Sequence, residues 1–214
     1  IRGCTFDNCN HINCTDSSGR VIIGYGANRP ILENNTIKNT VDGGYIFSWE
    51  YLIDNAIAIT LNEFRFENNK ASCSDGGGSG ISIKKSNTIE FANCYFIKNE
   101  LTNKESSIGG GGFSCGDFSS ELLNHEIQII KCYFEDNSVP NGANGGSLYI
   151  RSPKHHTTIS ECRFSDTRDI NSQGIARIGG AIFITEDQGG VSIEGCNFSH
   201  THSTLDGNAI CIDH

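Results

Sequence analysis

Methionine is absent from the 214 residues, proline occurs three times and tryptophan once. No apolar run approaches the ~20 residues a membrane-spanning helix needs, so direct membrane insertion is not expected. Basic residues are scarce too: 16 Lys plus Arg stand against 25 Asp plus Glu, for a formal net charge of −9. Nucleic-acid binding draws on clustered cations. The single basic doublet, Lys84-Lys85, reads as a solvated turn. There is no Cys-x-x-Cys, which argues against a zinc ribbon or a thioredoxin-type motif. No signal peptide is visible, but Ile1 falls in mid-repeat, so the chain reads as a slice of a longer array.

Glycine is abundant, at 25 residues, and apolar residues come in short β-branched or aromatic runs. That pattern predicts many short strands separated by turns. Ten cysteines exceed what cytosolic proteins of this size usually carry, which points to an oxidising compartment. N-glycosylation sequons at Asn13, Asn34 and Asn197 are about as many as chance gives at this Asn and Ser/Thr content, although each is a candidate acceptor.

An internal repeat organises the chain. Cys-x-Phe occurs at Cys4, Cys94, Cys132, Cys162 and Cys196, with Asn35-Thr36-Ile37 and Phe64-Arg65-Phe66 filling the gap. Successive spacings are 31, 29, 30, 38, 30 and 34 residues. A short alternating apolar segment precedes each, as in Ile59/Leu61, Ile89/Phe91, Ile127/Ile129 and Val191/Ile193. The two residues between these stations shift the parity of the alternation, so the chain must bend there. A third station is a glycine-rich strand start, as in Gly145-Gly146-Ser147-Leu148 and Gly179-Gly180-Ala181-Ile182.

Strands of three to five residues are too short for amphipathic helices, and one unit cannot bury its own apolar positions. Stacking at about 4.8 Å per turn turns the inward positions into columns of like residues. The expected fold is all-β: a right-handed parallel β-helix of about six coils, three short strands per coil, forming one segment over 1–214.

The intact Gly179-Gly180-Ala181-Ile182 and the Phe-x-x-Asn tetrapeptides Phe66–Asn69, Phe96–Asn99 and Phe134–Asn137 carry a resemblance. In two later coils Thr167 and Thr201 take the Asn position. The chain resembles the polymorphic outer membrane protein repeats of chlamydial autotransporters and related protist surface proteins. Its heavy cysteine ladder is similar to that of eukaryotic microbial members. The resemblance implies a β-helix exposed on a cell surface, with adhesion as the usual role.

The outward residue of Cys-x-Phe forms its own column: Thr5, Thr36, Arg65, Tyr95, Tyr133, Arg163, Asn197. Arg65, Tyr95, Tyr133 and Arg163 are candidate binding residues for a sugar or a protein. Ordinary cross-strand stacking is the competing reading. Trp49 and Tyr51, in an insertion at one corner, are further binding candidates or simply cover that edge. The inward thiols are read chiefly as buried small hydrophobes. Cys9, Cys14 and Cys73 lie in turns and are the better disulfide candidates.

Polysaccharide-acting β-helix enzymes need converging carboxylates or a base beside them. The residues at the bend before Cys-x-Phe run Glu63, Asn93, Lys131, Glu161, Gly195, a charge-alternating solvated ladder without a catalytic pair. Asp136 and Asp166 share a station that suits a turn. His155-His156 and the pair His200, His202 lack the further ligands a structural metal site requires, so neither metal nor cofactor is expected. The leading functional expectation is a secreted or cell-surface adhesin-like scaffold, not an enzyme, whose partner is a host or matrix protein or a glycan. The alternatives are a filament or stalk built from head-to-tail copies or further coils of the same chain, and a pectate-lyase-like enzyme acting on polysaccharide.

Overall fold

Each Cys-x-Phe segment lies in register on the next. Thr5 pairs with Thr36, Thr36 with Arg65, Arg65 with Tyr95, Tyr95 with Tyr133, Tyr133 with Arg163 and Arg163 with Asn197. These contacts come from a computed structural model that describes residues 1–9, 23–24, 31–41, 45–47, 58–71, 80–83, 88–102, 110–115, 126–139, 143–151, 155–165, 176–185 and 189–213.

Among the described residues every ladder is parallel, and the regular elements are strands alone. Three sheets make the faces of a β-solenoid. The first holds six strands, among them Ala58–Asn62, Thr88–Ala92 and Glu126–Ile130. The second holds the seven Cys-x-Phe strands, from Thr5–Asp7 to Asn197–Ser199. The third also holds seven, and includes the glycine-led strands Phe113–Cys115, Leu148–Arg151 and Ile182–Thr185. The stack is therefore seven rungs deep on two faces, slightly different from a count of about six coils.

The bend between the first two faces is sharper than its residues suggest. Gly3, Asn34, Glu63, Asn93, Lys131, Glu161 and Gly195 all sit at φ between 50° and 63°. Non-glycine residues in that region cost about 1–2 kcal/mol each. Compensation comes from the stack, because the amides of Gly3, Asn34, Glu63, Asn93, Lys131 and Glu161 each donate to a carbonyl one rung on. Glu63 reaches Ala92 O at 3.0 Å, Asn93 reaches Ile130 O at 3.1 Å and Lys131 reaches Ser160 O at 3.0 Å. A second left-handed bend follows Phe, at Asn8, Asn39, Asn68, Lys98, Asp136 and His200. At the third corner glycine is obligatory. Gly179 has φ +63°, and a Cβ there would stand 2.2 Å from Ile182 O.

The interior is a set of columns. Phe66, Phe96, Phe134, Phe164 and Phe198 stack with ring centroids 5.0, 4.7, 4.7 and 5.0 Å apart and planes within 10°. Facing them are Ile59, Ile89 and Ile127 on the first face and Phe113, Leu148 and Ile182 on the third, all fully buried. Burying one such side chain contributes roughly 1.5–3 kcal/mol. One position breaks the aliphatic row. Thr157 pairs with Ile127 and Val191, and its buried hydroxyl has no hydrogen-bond partner among the described residues.

A polar column runs beside the phenylalanines. Asn69, Asn99 and Asn137 are buried. Asn69 Nδ2 donates to Asn99 Oδ1 at 2.9 Å, Asn99 Nδ2 to Asn137 Oδ1 at 3.0 Å, and Thr40 Oγ1 to Asn69 Oδ1 at 2.9 Å. Asn69 and Asn99 also donate to the carbonyls of Ile37 and Phe66. The Phe-x-x-Asn motif thus supplies one inward ring and one inward amide per turn.

Candidate functional site

Tyr95 and Tyr133 lie at the middle of the outward column of the second face. Their rings stack at 5.1 Å with planes 7° apart, and they remain 36% and 45% exposed. The geometry follows from register, because a parallel ladder places equal rotamers one strand spacing apart. Arg65 covers the far side of Tyr95, its guanidinium carbon 5.6 Å from the ring centroid. Its Nε also bonds Glu67 Oε2 at 2.8 Å, and that guanidinium holds the Glu67 carboxyl below the usual glutamate range. Arg163 stands next to Tyr133 on the following rung, exposed and without a partner among the described residues.

The four candidate residues on this face thus form one continuous strip, but an asymmetric one. Its Arg65 end is neutralised by Glu67, whereas its Arg163 end presents a cation with no partner among the described residues. Each tyrosine has one face against its neighbour, so the stacked pair offers outward mainly ring edges and hydroxyls. Trp49 and Tyr51 lie outside the described residues, as do Asn13, Cys14, Cys73, Asp166 and Thr167. The other two sequons are exposed: Asn34 at a left-handed bend and Asn197 at the far end of the outward column.

The cysteines divide by position. All eight described ones are free. Cys9 is an exposed thiol whose Sγ faces Asp7 O at 3.7 Å. Cys94, Cys132 and Cys162 are buried on successive rungs, with Cys196 half-buried beyond them. Each places its thiol against the carbonyl two residues earlier: Ala92 O at 3.3 Å, Ile130 O at 3.4 Å, Ser160 O at 3.2 Å and Glu194 O at 3.5 Å. One rotamer therefore repeats along the column. Burial pushes the Cys132 thiol up, and does the same to Cys115 on the third face.

The charge ladder at the first bend is present: Lys131 Nζ lies 3.7 Å from Glu161 Oε2, both exposed. His155, His156, His200 and His202 are also exposed, and no group of three or more potential ligands converges among the described residues. Asp136 occupies a left-handed turn.

Sequence reasoning missed two features. On the third face the outward-pointing Tyr149 and Phe183 are buried, packed against Ile178 and Cys211. Period-two alternation assigns them to solvent, and no local signal says that another segment covers them. The left-handed conformation at Glu63, Lys131 and Glu161 was equally silent, since those residue types do not announce it.

Parallel stacking, inward aromatic and thiol columns and glycine corners together establish a parallel β-solenoid repeat protein. No family model, no curated protein and no solved structure matches the chain.

Proposed function

We propose that the chain is part of a secreted or cell-surface β-helix scaffold, adhesin-like and similar to the polymorphic outer membrane protein repeats. On this reading it binds a protein or glycan through the second face. The supporting observation is the outward Arg65–Tyr95–Tyr133–Arg163 strip, a rigid aromatic pair ending in a guanidinium that has no partner among the described residues. Aromatic and arginine side chains supply much of the binding energy where proteins meet partners. Arg163 favours a partner with a carboxylate or sulfate group at that end, because a guanidinium fork can bond two oxygens of one oxyanion at once. The Gly-Gly-Ala-Ile and Phe-x-x-Asn tetrapeptides support the family reading.

A glycan array and a cell-binding assay on the full chain test this. Tyr95→Ala combined with Tyr133→Ala, or Arg163→Ala alone, abolishes binding while circular dichroism stays unchanged. Undiminished binding in both variants overturns the reading.

A further inference from the structure

We propose that Cys94, Cys132, Cys162 and Cys196 form a column of two-coordinate sites for soft monovalent cations such as copper(I) or silver(I), one ion between each pair of adjacent rungs used. The residues share one rotamer, as their common bond to the carbonyl two positions earlier shows. Their rungs are hydrogen-bonded in register: Tyr133 N to Cys94 O, Arg163 N to Cys132 O and Asn197 N to Cys162 O, at 2.9, 3.0 and 2.9 Å. Side chains repeated in this way place their sulfurs about one strand spacing apart, ~4.8 Å.

That distance discriminates between chemistries. A disulfide needs sulfurs at about 2.0 Å, so both would have to leave their rotamers and close nearly 3 Å between stacked strands. Two metal–thiolate bonds of about 2.3 Å laid end to end span about 4.6 Å, close to the strand repeat. Inward-pointing Cβ–Sγ bonds then meet the metal–sulfur axis at a bent angle at sulfur, as thiolates require. Soft thiolate sulfur selects copper(I)-like ions over hard ones. Zinc wants four ligands around one point, and these sulfurs lie in a line.

Each ion breaks two S–H bonds and forms two S–metal bonds, releasing two protons with no change of oxidation state. A thiolate that serves one linear ion is used up, so four thiols hold two ions, at Cys94/Cys132 and Cys162/Cys196. Around the buried Cys94, Cys132 and Cys162 the surroundings are apolar, with Leu61, Phe91, Ile129 and Ile159 in the same core, and the half-buried Cys196 packs against it. These surroundings therefore disfavour displacement by water or small thiols.

The test uses the full chain carrying Cys4→Ser, Cys9→Ser, Cys14→Ser, Cys73→Ser and Cys211→Ser, loaded with silver(I) and challenged with excess glutathione. Native mass spectrometry is expected to show two retained ions. Cys115→Ala leaves both, and either Cys132→Ala or Cys162→Ala leaves one. Cys132→Ala with Cys162→Ala leaves none. Should that double variant lose its β circular dichroism, Cys94→Ala with Cys196→Ala provides the same decision: one ion held by Cys132/Cys162. No retained silver in the parent, or ion counts that ignore these substitutions, overturns the proposal.

Discussion

Asn99 donates from Nδ2 to Asn137 Oδ1 at 3.0 Å across 38 residues of chain, and its own Oδ1 accepts from Asn69 one rung earlier. Each amide in the column is held by the turns on either side of it, so the cost of losing one is shared among several groups. Asn99→Ala is expected to orphan the Asn69 backbone amide and to remove the side-chain bonds to Phe66 O and Asn137 Oδ1, while the backbone amide of residue 99 still donates to Asn137 Oδ1. At about 1–3 kcal/mol for that orphaned donor, plus about 0.5–1.5 kcal/mol for each side-chain bond lost, the loss is on the order of 3 kcal/mol. Urea unfolding measures it. Asn68→Gly is the matched control: it removes only the exposed bond to Asn39 and keeps a left-handed bend, so it stays within about 0.5 kcal/mol.

Thr157 marks the opposite case, a polar atom in an otherwise aliphatic row. Thr157→Val preserves shape and removes an unsatisfied hydroxyl. The thermal midpoint rises, by the equivalent of about 1 kcal/mol. A fall in the midpoint would mean the hydroxyl has a partner.

Two glycines separate strain from collision. Gly195 has φ +62° and no atom closer than 3.8 Å to the place a β-carbon would take, whereas Gly179 has φ +63° and a carbonyl at 2.2 Å from that place. Gly195→Ala is expected to cost about 1 kcal/mol, the left-handed penalty alone. Gly179→Ala adds overpacking and reaches roughly 3 kcal/mol or more. Equal losses in denaturation would remove the steric account of that corner.

The Glu67 carboxyl is held low by Arg65, so its folded-state value lies below its unfolded one. Its contribution is full above the unfolded value and fades as pH falls through the folded value. The pair is partly exposed, which limits the effect to about 1 kcal/mol at most. Arg65→Gln should therefore flatten stability against pH on the acid side and leave the neutral-to-basic limb parallel to the parent. An unchanged acid limb would show that the pair contributes nothing.

Much of this architecture is legible in the residues, because a solenoid repeats its pattern. Phe66, Phe96, Phe134 and Phe164 recur at spacings only stacking explains, and their columns lie where periodicity puts them. The outward strip was legible for the same reason, but its asymmetry was not. That Glu67 engages Arg65 while Arg163 has no such partner among the described residues depends on rotamers, not on the repeat. Tyr149 and Phe183 escaped because burial of an outward position is set by another segment's path. The inward turn of Asn99 escaped as well: a motif letter states that an amide recurs, not that it bonds its own copies.

The central claim is that equivalent residues of consecutive coils lie directly upon one another. Nuclear Overhauser contacts between side-chain ring protons test it most directly. Phe96 is expected to show strong cross-peaks to Phe66 and Phe134, and Phe134 to Phe164, with Tyr95 contacting Tyr133 on the opposite side of the strand. Cross-peaks linking Phe96 instead to Tyr133 or Glu135 would mean a slipped register, and their absence altogether would contradict the stack.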